Sequence, residues 1–174
     1  FIEPVALALS RKSGRPVKIV MTREEVFRAT GPTCSSSIDV KIGMTNDGRI
    51  TAADAQLRYQ GGAFPCETVG MGAQSAFAAY DLDAVRTQGW NVLTNRPKEA
   101  AYRAPGAPMA IFAVESVVDE LCQELSLDPL QVRLINAADA GTKSSYGPTF
   151  DQIGLKATLQ AAVEHEHYRA PLGE

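Results

Sequence analysis

Residues 95–108 read NRPKEAAYRAPGAP, and a strongly patterned helix follows them. The pattern is a set of apolar side chains spaced three and four residues apart, namely Ile111, Val114, Val118, Leu121 and Leu125. This spacing predicts an amphipathic helix over residues 109–125. Its opposite face is polar and should reach water through Glu115, Asp119 and Gln123. Residues 109–114 are apolar all round, so we expect this end of the helix to be buried.

The residues just before this helix are suited to binding an anion. A helix start leaves backbone N–H groups without partners and carries the positive end of the helix dipole. Arg103 supplies a fixed positive charge there, and Gly106 permits a tight turn next to it. This combination typically holds a phosphate or a polar cofactor edge. The alternative is that Arg103 binds a backbone carbonyl or pairs with Glu99.

Length and charge limit the classes of function that the chain can have. The chain has 174 residues, of which 45% are hydrophobic, and this is enough for one globular core. Its 17 basic and 20 acidic residues give a formal net charge of -3, and no run of basic residues occurs. Binding to nucleic acid or to an acidic membrane surface therefore has no electrostatic support.

No stretch of the sequence points to a membrane, a metal or a disulfide. Apolar runs stay well short of the roughly 18 residues of a membrane span, and the N-terminus lacks the order of a signal peptide. We therefore expect a cytoplasmic protein. The cysteines are far apart and should be ordinary thiols: Cys34, Cys66 and Cys122. His165 and His167 are two residues apart, so they do not share a helix face and should be solvated.

A β-hairpin is the second clear local pattern. Apolar and polar residues alternate over residues 38–44, which is typical of a half-buried strand. Asn46-Asp47-Gly48 is a strong turn signal, and residues 50–59 should return as the second strand. We expect further strands at residues 17–21 and within residues 80–94, where β-forming residues are frequent.

Local end signals place the other helices. Gly14 should end a first helix, and Thr22 with Glu25 forms a capping box for a second. Asp128 marks the start of another helix. The residues of that helix that should face the core are Leu130, Leu134 and Ile135.

Two remaining segments complete the predicted organisation. Residues 68–79 are small and weakly polar, so they either line a cavity or pack tightly. A last helix covers residues 155–163. Together the patterns predict a single α+β domain over residues 1–174, with an antiparallel or mixed sheet whose hairpin packs against several amphipathic helices.

Several ordered motifs resemble one family of enzymes. The central motif is AYRAPGAP at residues 101–108, followed by Ala113-Val114-Glu115-Ser116 and Asp119-Glu120-Leu121. Weaker similarity extends over most of the chain, in Glu3-Pro4, in SGRPVK at residues 13–18, in Thr22-Arg23-Glu24-Glu25, in Asp47-Gly48 and in residues 145–155. On these motifs the chain resembles the molybdopterin-binding large subunit of the molybdenum hydroxylases, the xanthine dehydrogenase and aldehyde oxidase family.

The resemblance implies a chemistry and a set of partners. Such enzymes hydroxylate an aldehyde or heteroaromatic carbon with water as the oxygen source, use a molybdenum–pterin cofactor, and pass electrons to iron–sulfur and flavin subunits or domains. By this resemblance, Arg103 and Ala104 would contact the cofactor. Met71 and Pro105 would line the substrate pocket, and the apolar Met71 suits an uncharged aldehyde or heteroaromatic substrate better than a purine.

The chain also departs from the family's pattern. The family's glycine-rich loop and catalytic glutamate have no counterpart here, and Gly173-Glu174 resembles the end of that catalytic motif only superficially. We therefore expect an internal fragment without catalytic or metal-binding residues of its own, which binds no cofactor alone and has the remainder of the subunit as its partner. The alternative is a non-catalytic module that keeps the fold for packing or partner binding. A fragment should expose a large apolar patch, whereas a module should cover that patch or form a homodimer through it.

Overall fold

A three-stranded mixed sheet forms the centre of the fold. We describe it from a computed structural model that defines residues 2–65 and 67–171. Strands β1 (Ser36–Met44) and β2 (Ile50–Gly62) pair antiparallel, and β3 (Val85–Leu93) pairs parallel to β2. The hairpin and the existence of the third strand were predicted from the sequence, whereas the parallel orientation of β3 was not.

Seven helices accompany the sheet in the described part of the chain. In chain order they are α1 (Glu3–Ser13), α2 (Arg23–Ala29), α3 (Thr68–Ser75), α4 (Ala107–Leu125), α5 (Pro129–Asn136), α6 (Leu155–Glu164) and α7 (Glu166–Arg169). The predicted α+β class is therefore confirmed. Cys66 and Gly173-Glu174, which the sequence analysis named, lie outside the described residues. None of the seven helices has both the length and the apolar character needed to cross a membrane.

The hairpin supplies much of the core face of the sheet. Its turn is closed by a hydrogen bond from the Thr45 N–H to the Arg49 carbonyl at 2.9 Å, and Gly48 has a φ of 88°. Because side chains alternate along a strand, one face of β2 is buried. The buried residues of this face are Ala53, Ala55, Leu57 and Tyr59. The expected strand at residues 17–21 is absent, since these residues make no backbone ladder with any other described residue.

Helix α4 packs on this core through a different face from the one predicted. Its buried residues are Ala107, Ala110, Val114, Val118 and Cys122. Val114 and Val118 were predicted correctly, but Ile111 is 42% exposed and Phe112 is 76% exposed. The expected burial of residues 109–114 on all sides is therefore wrong within the described structure. Small residues at positions 107, 110 and 122 let the helix approach the sheet closely, and the buried face is centred on them.

Glu115 joins α4 to α5 and does not simply face water as predicted. The Tyr80 hydroxyl donates a hydrogen bond to Glu115 Oε1 at 2.8 Å, and Arg133 Nη2 lies 2.7 Å from Glu115 Oε2. Arg133 also pairs with Asp119 at 2.8 Å, and its side chain is only 18% exposed. Burial and the nearby Glu115 carboxylate raise the pKa of Tyr80, so this hydroxyl remains a donor.

Helix α5 is turned towards the hairpin by one buried side chain. The residues predicted to face the core stay half-buried or exposed: Leu130, Leu134 and Ile135. Val132 and Asn136 are buried in their place. Asn136 Nδ2 donates to the Gly48 carbonyl at 2.7 Å, and Asn136 Oδ1 accepts from the Ile50 N–H at 2.9 Å. These bonds satisfy backbone groups at the hairpin turn and fix the orientation of α5.

The helix ends follow their local signals. Thr22 and Glu25 form the predicted capping box of α2, and each side chain bonds the backbone of the other residue. The Asp128 carboxylate accepts from the first N–H groups of α5. Gly14 ends α1 in the left-handed conformation, with a φ of 67°. These three predictions are confirmed.

Candidate functional site

The turn that leads into α4 has an unusual backbone. Ala104 has a φ of 57° and Gly106, which precedes the first residue of α4, has a φ of 86°. Ala104 is one of two non-glycine residues with positive φ in the described chain. The left-handed conformation costs an ordinary residue about 1–2 kcal/mol. Such a residue persists when its surroundings fix it, and strained residues cluster at functional sites.

Tight contacts with α3 and β2 hold the end of this turn. A Cβ atom at Gly106 would lie only 2.0 Å from the Thr68 carbonyl oxygen, so only glycine fits there. The buried Tyr59 hydroxyl donates a hydrogen bond to the Gly106 carbonyl at 2.8 Å. Burial raises the pKa of Tyr59 above its usual range and keeps the hydroxyl protonated. Of the two alternatives for residues 68–79, this part of the segment shows tight packing.

Arg103 and Ala104 present free hydrogen-bond donors on the surface. Both residues are exposed, and neither backbone N–H donates to another described residue. The Arg103 guanidinium makes no hydrogen bond or ion pair within residues 2–65 and 67–171. Glu99, its candidate partner from the sequence, is instead buried and accepts a hydrogen bond from the Thr68 hydroxyl. The surface at Arg103 therefore suits an external anion or hydrogen-bond acceptor.

Met71 and Pro105 lie on either side of the contact between α3 and the turn. Met71 is 44% exposed and precedes Gly72, whose added Cβ would lie 3.0 Å from the Gly106 carbonyl. Pro105 is half-buried and precedes Gly106. A shallow depression of about 370 Å³ lies at Met71, and it is lined by Glu67, Val69, Gly70, Met71 and Gln74. Pro105 is not part of that lining, so the structure does not bring Met71 and Pro105 together in one pocket.

A buried polar cluster beneath the turn was not predicted from the sequence. It consists of Cys34, Thr68 and Glu99, which are 8%, 5% and 5% exposed. Burial raises the pKa of Cys34 to about 12, and the neighbouring Glu99 carboxylate contributes to this rise. The three residues are far apart in the sequence and form no motif. The signal that could have found Glu99 is its position as the one acidic residue between Asp83 and Glu115.

The described residues contain no group of three or more His, Cys, Asp and Glu side chains placed to hold a metal ion. The two histidines near the C-terminal end are exposed. His165 Nδ1 accepts a hydrogen bond from the His167 N–H at 3.1 Å, and this bond caps α7. The His165 side chain therefore serves the local backbone.

Comparison with known proteins identifies the family of this fold. A family model described as the molybdopterin cofactor-binding domain matches residues 1–137. The chain belongs to the molybdopterin cofactor-binding domain family. The matched residues include β1 to β3, the Arg103 turn, α4 and α5. The resemblance noted in the sequence is thus confirmed, and the cofactor of the family is a molybdenum-bearing pterin.

Sequences and structures of individual family members align with almost the whole chain. The xanthine dehydrogenase molybdenum-binding subunit of Escherichia coli O157:H7 is 33% identical over 163 residues, which are 91% of this chain and 22% of that protein. Aldehyde oxidase 3 of Mus musculus is 29% identical over 94% of this chain and 12% of its own length. The solved aldehyde oxidoreductase of Desulfovibrio gigas superimposes with a TM-score of 0.86 at 26% identity, over 93% of this chain and 18% of that chain. The chain therefore spans a minor part of the length of its relatives.

Proposed function

We propose that this chain forms one wall of a molybdenum–pterin site in an oxidoreductase that hydroxylates an aldehyde or heteroaromatic carbon with oxygen from water. Family membership supports the cofactor, and the names of an aldehyde oxidase and a xanthine dehydrogenase subunit among the relatives support the reaction class. The observation that carries the proposal is the strained turn at Ala104, which leaves donors of Arg103 and Ala104 exposed at the start of α4.

The residues of this turn fit a polar, anionic cofactor. The Arg103 side chain offers a planar set of charged donors, and the free N–H groups of Arg103 and Ala104 lie next to it. The 19-residue helix α4 begins at Ala107, three residues after Ala104, and its positive end lies there. Arg103 and Ala104 would hold the cofactor edge, and the bound molybdenum centre would supply the redox chemistry. Met71 and Pro105 would face an apolar substrate next to it.

Exposed apolar side chains support association of this domain with further polypeptide. The most exposed large apolar residues include Leu7 at 73%, Val20 at 72%, Phe27 at 71% and Phe112 at 76%. Where such side chains form a contiguous apolar patch, the patch marks an interaction site in soluble proteins. Within the proposed enzyme, the remainder of the large subunit and the iron–sulfur and flavin subunits would cover it.

A second candidate function uses the same exposed surface. A non-catalytic module would cover these side chains by forming a homodimer or by binding another protein. Light scattering coupled to size-exclusion chromatography distinguishes the two candidates. The module predicts a stable dimer that contains neither molybdenum nor pterin, whereas the fragment of an oxidoreductase predicts cofactor in the assembled protein.

The proposed cofactor contact is tested by replacing Arg103. We expect Arg103→Ala, made in the subunit assembled with its remainder, to lower the molybdenum and pterin content per subunit at least tenfold under subsaturating cofactor, since hydrogen bonds to charged groups contribute about 1.5–3 kcal/mol. The measurements are elemental analysis for molybdenum and pterin fluorescence after oxidative release. Arg96→Ala is the matched control, because Arg96 is also exposed and lies in the same connection. Equal cofactor content in both variants would reject the contact.

A further inference from the structure

Backbone contacts hold the segment that precedes the Arg103 turn between the end of β2 and the loop at Pro32. The Glu99 N–H donates to the Gly61 carbonyl at 3.2 Å, and the Ala100 N–H donates to the Pro32 carbonyl at 3.3 Å. A Cβ at Gly62 would lie 2.2 Å from the Pro97 carbonyl oxygen, so the two backbones are in direct contact. These contacts fix the path of the chain up to Ala100.

The Glu99 side chain then enters the core instead of turning to solvent. Its side chain accepts a hydrogen bond from the Thr68 hydroxyl, and both residues are 95% buried. The second carboxylate oxygen is buried without a hydrogen-bond partner among the described residues. A buried carboxylate is expensive, since it loses its hydration and regains only part of it from protein donors. We therefore expect the buried Glu99 carboxylate to have a role that outweighs the cost of its desolvation.

Thr68 connects Glu99 to the far end of the same turn. The Thr68 hydroxyl holds Glu99, while the Thr68 carbonyl oxygen is packed against Gly106. The turn is thus fixed at residue 99 on one side and at residue 106 on the other, with Thr68 between the two. Ala104, with its left-handed backbone, lies inside this short span. A strained residue needs such over-determined surroundings to persist.

We infer that Glu99 is a positioning residue, whose hydrogen bond to Thr68 fixes the turn at residues 103–106 in the conformation that exposes the donors of Arg103 and Ala104. That these donors bind a molybdenum–pterin cofactor rests on the function proposed above. The fixing of the turn is a property of this chain and can be measured without the cofactor.

Tryptic cleavage after Arg103 reports the conformation of the turn directly. Trypsin needs a flexible, extended segment, so we expect the native protein to be cut slowly between Arg103 and Ala104. Glu99→Ala should raise the rate of this cleavage at least tenfold, and Thr68→Val should have a similar effect. Glu99→Gln should stay within about twofold of the native rate, because a glutamine carbonyl still accepts from Thr68. Thr68→Ser, which keeps the hydroxyl, should do the same. Mass spectrometry of the products ending at Arg103 gives the rate.

Two control variants separate a local effect from general destabilisation. Val114→Ala leaves a cavity in the core and lowers stability while it keeps every residue of the Glu99 cluster. Glu67→Ala removes an exposed carboxylate next to Thr68. Both should leave cleavage after Arg103 close to the native rate at a temperature where every variant is folded. The inference is overturned if Glu99→Ala is cut at the native rate, if Val114→Ala is cut as fast as Glu99→Ala, or if Glu99→Gln fails to restore protection.

Molybdenum and pterin content, measured on the same variants after assembly with the remainder of the subunit, tests the functional part independently. Low content in Glu99→Ala together with fast cleavage supports both the positioning role and the proposed function. Fast cleavage of Glu99→Ala, together with a native assembled subunit that contains no cofactor, retains the positioning role and rejects the proposed function. Loss of cofactor without any change in cleavage rejects the positioning role alone.

Discussion

Replacing Gly106 with alanine should destabilise the protein more than the same replacement at Gly14. The two glycines have φ values of 86° and 67°, so each alanine costs about 1–2 kcal/mol of backbone strain. A Cβ at Gly14 would meet nothing within 4 Å, whereas a Cβ at Gly106 would lie 2.0 Å from the Thr68 carbonyl oxygen. Helices α3 and α4 must separate to relieve that clash, which adds about 1–3 kcal/mol.

The comparison of the two variants isolates the steric part of this loss. Urea denaturation followed by circular dichroism gives the free energy of unfolding of each variant. The expected difference of about 1–3 kcal/mol corresponds to a difference of about 2–12 °C in melting temperature for a chain of this size. Equal losses at Gly14 and Gly106 would refute the close packing of the turn on Thr68. Gly14→Ala alone should show only the strain of its backbone.

Two further predictions concern the buried polar groups. Asn136→Ala should lower the free energy of unfolding by about 2–5 kcal/mol in urea denaturation, because the Ile50 N–H and the Gly48 carbonyl lose their partners in the core. The control variant is Asn95→Ala at an exposed loop position, which should change the free energy of unfolding by less than about 0.5 kcal/mol. An equally small loss in Asn136→Ala would contradict the role of Asn136 as the partner of these backbone groups. Burial raises the pKa of Cys34 from its usual 9.0 to about 12, so the unfolded thiol ionises first and the free energy of unfolding should fall as the pH rises from 9 towards 12. In Cys34→Ala the free energy of unfolding should fall less over this pH range. Identical pH profiles of the native protein and Cys34→Ala would exclude a contribution from the Cys34 thiol.

The parts of the fold that the sequence predicts are those set by nearby residues. The turn at Gly48, the capping box of Thr22 and Glu25, and the Asp128 cap each depend on atoms a few residues apart, and all three form as expected. The alternation along β1 likewise follows from the period of a strand. Local chemistry fixes these features whatever the rest of the chain does.

The features that the sequence does not predict depend on distant neighbours. The apolar pattern of α4 identifies a helix, but only the sheet packed against Ala110 decides that Phe112 stays exposed. Strand β3 could pair with either edge of the hairpin and in either direction, and no local sequence pattern indicates its parallel pairing with β2. The partner of Glu99 is Thr68, which lies 31 residues away in sequence, and pairing with Arg103 was the nearer expectation. For the candidate site, the sequence therefore indicated the turn and its arginine, whereas the cluster beneath it required three-dimensional information.

The hydrogen bonds of Asn136 have a consequence for the order in which this chain folds. They join residue 136 to the hairpin turn at Gly48 and Ile50, across sequence separations of 88 and 86 residues. The backbone of residues 136 and 138 also bonds that of Asp81 and Ala79. During synthesis the hairpin leaves the ribosome long before these partners do. Ribosome-bound chains whose residue 136 is still inside the exit tunnel should therefore have an open, protease-sensitive core, which should close once that residue has left the tunnel.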